Sequence, residues 1–179
     1  MCYNLHNINF LLYSNTLIKQ TVPISRFPLR INVGFLYNVS IGTYRDIQFD
    51  FPKITFSGDL DVENFTGVVR LNRTPQGILI AGEFSGNTTA QCVRCLADFM
   101  QPVKSSFEEM FAFNQRSATE SDLIIPDDAN IDLEPLVRDY LLIEVPINSL
   151  CRPDCKGLCL VCGEDLNLAV CEHADRPSV

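Results

Sequence analysis

Residues Gly67–Phe84 read GVVRLNRTPQGILIAGEF and form two apolar runs on either side of a turn signal. The runs GVVRLNR and ILIAGEF are rich in β-branched and apolar residues, which is typical of β-strands. Between them, Pro75 occupies the second position of a four-residue turn and Gly77 the fourth, a combination that suits a type I turn. The stretch therefore predicts a β-hairpin whose two strands flank residues 74–77.

Runs of the same character extend outward from this hairpin in both directions. They are dominated by β-branched and aromatic residues and are separated by turn-forming residues; they are LRINVGFLY, YRDIQFDF, DVENF and PVKSSFEEMFAF. Strands of this length and spacing are typical of an antiparallel sheet or a small barrel. In the last run Val103, Phe107 and Phe111 share one face, which predicts a half-buried strand.

One helical stripe follows the strands. Its apolar members recur at i, i+3, i+4, i+7 and i+8, and they are Leu133, Leu136, Val137, Tyr140 and Leu141. Asp132 can cap the start of this helix, and Pro146 is expected to stop it. The pattern predicts a helix near residues 132–144 packed on the sheet, and hence an α+β fold.

The chain divides into three parts. Residues 1–28 lack clear periodicity and are expected to be a leader without function, either disordered or an upstream start that is not native. Residues 29–146 form the β-rich domain with its helix, within which the polar stretch 114–130 is expected to be a surface connection. Residues 147–179 are rich in cysteine and are expected to form a metal-binding tail.

Charge and hydropathy limit the function. The formal net charge of the 179-residue chain is −8, whereas a non-specific grip on nucleic acid or an anionic membrane needs the opposite sign. No run approaches the roughly 18 apolar residues of a membrane helix. The first residues also lack the positive region of a signal peptide. We therefore expect a cytoplasmic protein with no membrane partner.

The cysteines carry the clearest chemical signal. The segment Cys151–His173 reads CRPDCKGLCLVCGEDLNLAVCEH, and a further Cys-x2-Cys pair lies upstream. In a reducing cytosol, clustered cysteines are more often metal ligands or catalytic groups than disulfides. Apart from Cys2 in the leader, seven cysteines and one histidine are available, which is the number of ligands that two tetrahedral zinc sites need.

The spacing suggests how these ligands divide. A local zinc ribbon would use Cys159, Cys162, Cys171 and His173. An all-thiolate site would use Cys92, Cys95, Cys151 and Cys155, and would staple the tail onto the sheet. Structural zinc, one or two ions per chain, would supply about 10 kcal/mol to a tail whose only sizeable apolar residues are leucines and valines. The spacing leaves three alternatives open: an iron–sulfur cluster, disulfide bonds and a thiol redox function.

Nothing in the sequence indicates catalysis. No GxSxG, phosphate-binding loop or GxGxxG pattern is present, and the only histidine besides His173 is His6 in the leader. Neighbouring carboxylates such as Glu108 and Glu109 point to opposite faces of a strand. A zinc site closed by four protein ligands leaves no position for a substrate. We expect a protein that is not an enzyme and has no small-molecule substrate.

Three segments together resemble the YceD-like family: FTGVVRLNRTPQG, TTAQCVRCLADF and IDLEPLVRDYLLIEVPINSLCRPDCKGLCLVCGEDLN. The resemblance covers about residues 29–173. It implies a role in the accumulation or processing of large-subunit ribosomal RNA in bacteria and plastids. It places Cys92 and Cys95 in the family's first knuckle, a Cys-x2-Cys turn whose two thiolates can bind one metal ion. It places the four cysteines between 151 and 162 in the family's tail motif. Many relatives have Cys-x-Cys where this chain has Cys171-Glu172-His173, an exchange that keeps a zinc ligand.

Three functions therefore compete. The leading one is a non-enzymatic ribosome-assembly factor whose partner is ribosomal RNA or a large-subunit ribosomal protein. The candidate RNA contacts lie beside the cysteine pairs or on the hairpin, and they are Arg94, Arg152, Lys156, Arg70 and Arg73. The acidic remainder of the chain suits a basic ribosomal protein better than RNA. The alternatives are a protein-interaction adaptor without an RNA role and a thiol redox or metal-sensing protein.

Overall fold

A computed structural model describes residues 27–58, 60–117 and 123–173. The expected leader, residues 1–28, lies almost wholly outside the described residues. Within the described ranges the elements are β1 (Arg30–Asn32), β2 (Tyr44–Phe56), β3 (Leu60–Arg73), β4 (Gly77–Gln91), β5 (Asp98–Ala112), β6 (Asn130–Asp132) and α1 (Glu134–Glu144). The fold is therefore mostly antiparallel sheet with one α-helix, as the sequence predicts.

The four long strands form one antiparallel sheet in the order β2-β3-β4-β5. This linear order makes the described part of the sheet open, which decides between the two architectures that the strand pattern allows. The predicted hairpin joins β3 to β4: the Thr74 N–H donates to the carbonyl of Gly77 at 2.9 Å, and Arg73 is paired with Ile78. A second, two-stranded sheet pairs β1 with β6.

Aromatic rings fill the core on one face of the large sheet. Phe84 lies at the centre, with its ring centroid 5.4 Å from that of Phe65 and 5.9 Å from that of Phe107. The backbone makes room for these rings with glycine, because a Cβ at Gly67 would overlap the Phe84 ring and a Cβ at Gly82 would lie 2.8 Å from it. Close packing of this kind tolerates little added volume.

The helix closes this core. Val137 and Leu141 are fully buried, and Tyr140 stacks on Phe107 with centroids 5.2 Å apart. The start differs slightly from the expectation. Asp132 accepts the N–H of Glu134 at 3.0 Å, but the N-cap position falls one residue later, at Leu133. Such one-residue shifts are ordinary at helix ends.

The expectation that residues 114–130 are only a surface connection is wrong for part of this stretch. Ile125 is 5% exposed and belongs to the core. Its N–H donates to the carbonyl of Ala112, and the Ala112 N–H donates in turn to Leu123. Asn130 then enters β6, which pairs with a strand about 100 residues earlier. The apolar residues inside this polar stretch are therefore part of the packing that joins the two sheets.

Candidate metal centre

The first Cys-x2-Cys pair occupies the turn between β4 and β5. Cys92 directly follows β4; its carbonyl accepts the N–H of Leu96 at 2.9 Å, and its own N–H donates to Ala97 at 2.9 Å. Leu96 adopts a φ of 60°, in the left-handed region that side chains rarely occupy. The tight turn places Cys92 and Cys95 together at one end of the long sheet.

The second pair repeats this turn. The carbonyl of Cys159 accepts the N–H of Gly163 at 2.9 Å, just as Cys92 accepts that of Leu96. Gly163 has a φ of 75°, and a Cβ there would meet nothing within 4 Å. The residue after the second cysteine is thus left-handed in both knuckles. In the second knuckle this residue is a glycine, which adopts the left-handed conformation without steric cost, whereas in the first it is Leu96.

The sulfurs of the first cluster are spaced as a single metal ion would require. Its members are Cys92, Cys95, Cys151 and Cys155, whose ligand atoms all lie within 4.8 Å of one another. The Sγ atoms of Cys92 and Cys155 are 3.8 Å apart, and those of Cys95 and Cys151 are 3.7 Å apart. A tetrahedral zinc ion with Zn–S bonds of about 2.3 Å separates its sulfurs by about 3.8 Å, whereas a disulfide needs about 2.05 Å. The donor set and its dimensions therefore fit zinc.

The second cluster is more exposed than the first. Its members are Cys159, Cys162, Cys171 and His173, and their ligand atoms also lie within 4.8 Å of one another. The Nδ1 atom of His173 is buried and has no hydrogen-bond partner within the described part of the chain. A buried ring nitrogen without a partner is costly unless something binds the ring. Three sulfurs and an imidazole are compatible with zinc.

Backbone N–H groups prepare each cluster for a cation. In the first cluster the N–H groups of Cys151 and Cys95 lower the pKa of Cys92 to about 6. In the second, the N–H groups of Cys162 and Val161 lower the pKa of Cys159 to about 7. Metal binding requires thiolates, so each cluster holds one thiol that ionises easily at neutral pH.

The tail is attached to the end of the sheet by hydrogen bonds as well as by the cysteines. The Val93 N–H donates to the carbonyl of Ser149 at 3.0 Å. The carbonyl of Arg94 accepts the N–H of Leu158 at 3.1 Å, and the Arg94 Nη1 atom donates to the carbonyl of Cys155 at 2.8 Å. The hairpin turn is therefore held from both sides by the tail that supplies its other two sulfurs.

Asn167 belongs to the loop of the second cluster and contacts a ligand of the first. Its Nδ2 atom lies 3.5 Å from the Sγ of Cys155 and donates to Asp165 at 2.6 Å. Its Oδ1 atom accepts two hydrogen bonds, one from the Nη2 of Arg152 at 2.7 Å and one from the backbone N–H of Lys156 at 2.8 Å. This asparagine belongs to the segment between Cys162 and Cys171, so the segment that carries the second cluster also orients a ligand of the first.

The five candidate RNA contacts do not form one patch. Arg73 is paired with Ile78 near the start of β4, whereas Arg94 follows the end of that strand. At about 3.3 Å per residue, the two ends are roughly 40 Å apart along the strand. The structure therefore does not support the expectation that Arg70 and Arg73 extend the basic spot beside the cysteines.

Most of these cations already have protein partners. Arg70 forms two hydrogen bonds to Asp46, at 2.7 and 2.8 Å. Arg73 lies over the Phe113 ring at 4.2 Å. Arg94 and Arg152 hold the tail through the bonds described above, and Lys156 is exposed. Sequence patterns identify the charges, but they do not reveal which charges are engaged.

Two contributors to the site were missed from the sequence. Asn167 carries no signal of its own, because its role depends on an approach to Cys155 that only the fold creates. Leu96 could have been found by aligning the two knuckles, since it occupies the position of Gly163.

In the described part of the chain, the fold and the site together define an open β-sheet with one candidate metal centre at one end of the sheet and a second in the tail. A family model described as "Large ribosomal RNA subunit accumulation protein YceD" matches residues 80–178, which is 99 of the 179 residues. The chain belongs to the YceD family. Among the described residues, no helix is both long enough and apolar enough to cross a membrane.

Three relatives show sequence similarity to the chain, and one of them, from Zea mays, carries the family's name. An uncharacterised protein of Mycobacterium tuberculosis is 29% identical over 150 residues, which cover 82% of this chain and 70% of the relative. The uncharacterised protein YlbN of Bacillus subtilis is 32% identical over 71 residues, 39% of this chain and 41% of the relative. A Zea mays protein named large ribosomal RNA subunit accumulation protein YCED homolog 1, chloroplastic, is 45% identical over 40 residues, 22% of this chain and 14% of the relative. No solved structure matches the chain.

Proposed function

We propose that this chain is a non-enzymatic ribosome-assembly factor of the cytoplasm that promotes accumulation or processing of large-subunit ribosomal RNA. Family membership, with the role printed in the family's description, is the observation that carries the proposal. The sequence contains no GxSxG, phosphate-binding-loop or GxGxxG motif, which is compatible with a non-enzymatic role. Two grooves lie along strands β2 to β5. Their lining residues, within the described part of the chain, include no cysteine and no histidine that could serve as a nucleophile or base.

In this proposal both metal centres hold zinc and act structurally. Four protein ligands in each cluster leave no open coordination position, so the ion would not act as a Lewis acid on a substrate. What zinc supplies is folding free energy and a fixed geometry for the tail. The first ion would tie the tail to the β4–β5 turn, and the second would hold the ribbon around Cys159 and Cys171.

Metal content tests the structural part. Elemental analysis of protein purified without added metal or chelator should find two zinc ions per chain. Cys95→Ser should remove one ion and Cys162→Ser the other, while Cys2→Ser, outside both clusters, should leave two. One ion in the wild type would refute the two-site arrangement. None, in folded protein, would favour the thiol redox alternative.

Ribosomal RNA levels test the functional part. Deleting the gene in its own host should lower the ratio of large- to small-subunit ribosomal RNA and increase unprocessed large-subunit precursors. Re-expression of the wild-type chain should restore both. Normal RNA levels and normal subunit profiles after deletion would refute the proposal even if both zinc ions are present.

A further inference from the structure

Four aliphatic side chains around the second cluster are far more exposed than a folded domain normally leaves them. Leu160 is 90% exposed, Val161 60%, Leu168 85% and Val170 89%. All four lie within eleven residues, in the segment whose ligands form the second cluster. We refer to them as the ribbon patch. Single exposed leucines need no explanation, but a concentrated group of this kind marks an interaction surface.

The second cluster gives the ribbon patch a defined shape. Val161 directly precedes Cys162, and Val170 directly precedes Cys171. The sulfurs of these two cysteines lie within 4.8 Å of each other, so the two valines are on neighbouring stretches of chain. The turn at Cys159–Gly163 and the hydrogen bond from Cys159 to Glu164, at 2.8 Å, fix the backbone beside them. A preorganised surface loses little conformational entropy when it binds.

The charged residues of the segment that carries the ribbon patch are all acidic. Between Cys159 and His173 the chain carries Glu164, Asp165 and Glu172 and no lysine or arginine. Three thiolates and one neutral imidazole around a divalent zinc ion would add one more negative charge. A polyanion such as RNA is repelled by this surface, whereas a cationic partner is attracted.

The basic side chains nearest to the clusters do not reverse this balance. Arg94 donates to the carbonyl of Cys155, and Arg152 donates to Asn167 and lies 3.6 Å from Asp154. Both guanidinium groups are therefore held inside the tail. Together with Lys156 they are three cations, and the four acidic residues of the tail between 151 and 173 outnumber them. Lys156 is exposed and has no ion-pair partner within the described ranges.

We infer that the ribbon patch is the docking surface for a basic protein segment that presents apolar side chains flanked by lysine or arginine, and that it is not an RNA-binding surface. The inference deepens the proposed function and rests on it: the partner class is a basic protein of the assembling large subunit. Apolar contact supplies affinity at the centre of such an interface, and the opposite charges at its rim supply orientation and speed of association.

Binding to separated subunit components tests this inference. The probes are the proteins of a bacterial large ribosomal subunit freed of RNA, and 23S ribosomal RNA freed of protein. The zinc-loaded wild-type chain should bind at least one of the proteins, identified by mass spectrometry, and should bind the RNA more weakly. Higher ionic strength should weaken the protein complex. No binding to any protein, or tighter binding to the RNA, would overturn the inference.

Matched variants locate the surface. Replacing the four patch residues together by serine should weaken binding of the identified protein by about tenfold or more, with zinc content unchanged. Ile41→Ser with Val68→Ser changes exposed apolar residues far from the tail and should have no effect. Glu164→Lys with Glu172→Lys should weaken protein binding and strengthen RNA binding. Equal affinity of the serine variant and the wild type would refute the assignment.

Three further outcomes distinguish this inference from self-association of the chain and from the proposed function. If the wild-type chain dimerises in sedimentation experiments and the serine variant does not, while no ribosomal protein binds, the patch is a self-association surface and the inference is wrong. If the serine variant binds normally but gene deletion lowers large-subunit RNA, the proposed function stands and the docking surface fails. If patch-dependent binding occurs but deletion leaves RNA levels normal, the proposed function fails.

Discussion

The side-chain amide of Asn167 lies 3.5 Å from the Sγ of Cys155, so the loop of the second cluster contacts a ligand of the first. An N–H directed at a thiolate stabilises its negative charge, and residues of this kind commonly orient metal ligands. The same asparagine also accepts hydrogen bonds from two groups of the first cluster's own segment. The loop that carries the second cluster is therefore hydrogen-bonded to the segment that carries the first.

The first prediction concerns this contact. Asn167→Ala should lower the zinc affinity of the first cluster by about 10- to 100-fold, because the ligand loses its orienting donor. Asn167→Asp keeps an oxygen for Arg152 but places a carboxylate beside the Cys155 sulfur, so it should also weaken binding. Competition with a chromogenic chelator measures the affinity. Asn148→Ala, at an exposed asparagine outside both clusters, is the control, and an Asn167→Ala affinity equal to that of the wild type would contradict the prediction.

The second prediction compares the two knuckles. Gly163→Ala should lower stability by about 1–2 kcal/mol, since the left-handed backbone disfavours any Cβ and nothing nearby would clash with it. Leu96→Gly relieves the corresponding strain in the first knuckle and should destabilise much less or even stabilise. Thermal unfolding of the zinc-loaded protein measures both. If Leu96→Gly lowers the melting temperature as much as Gly163→Ala does, backbone strain does not distinguish the two knuckles.

The third prediction concerns the aromatic core. Gly67→Ala should lower the free energy of unfolding by about 1–3 kcal/mol, because the added methyl group overlaps the Phe84 ring. Urea unfolding measures the loss. In a Phe84→Leu background the smaller side chain leaves room, so the same alanine should cost clearly less. An equal cost in both backgrounds would place the strain somewhere other than at this contact.

The fourth prediction is a pH dependence. Hydrogen bonds from Arg70 hold the pKa of the Asp46 carboxyl below its usual 3.8. A carboxyl whose pKa is lowered by folding stabilises the protein above its unfolded-state pKa, and this contribution is lost as the pH falls through the lower, folded-state value. Asp46→Asn should therefore reduce stability slightly at pH 7 and cease to do so near pH 2. Asp50→Asn on the same strand is the control; a difference independent of pH would exclude the ion pair as its cause.

Much of this molecule follows from local sequence. The hairpin at residues 67–84 is recognisable because its turn and the two flanking runs are contiguous, and the helix is recognisable because its stripe lies within nine residues. The two groups of four ligands that the cysteine spacing suggests are the groups that the structure brings together. That zinc occupies them stays a prediction. Spacing is informative here because two residues between thiolates suit a single ion almost regardless of the surrounding fold.

Other features depended on contacts between distant residues. The pairing of β1 with β6 joins segments about 100 residues apart, and Ile125 is buried inside a polar stretch by packing against the core. No local pattern encodes either feature. Whether a cation is held by another protein group also depends on folding. Arg70 is bound to Asp46 and Arg94 to the carbonyl of Cys155, and neither contact can be inferred from the local sequence.

The sequence by itself therefore determined the central hairpin, the helix and the pairs of closely spaced candidate ligands, because each depends on residues that are close in the chain. Only the tertiary structure decided that the described part of the sheet is open, that Asn167 approaches Cys155 and that the ribbon patch is exposed among the described residues, because burial and hydrogen-bond partners are properties of the folded chain as a whole.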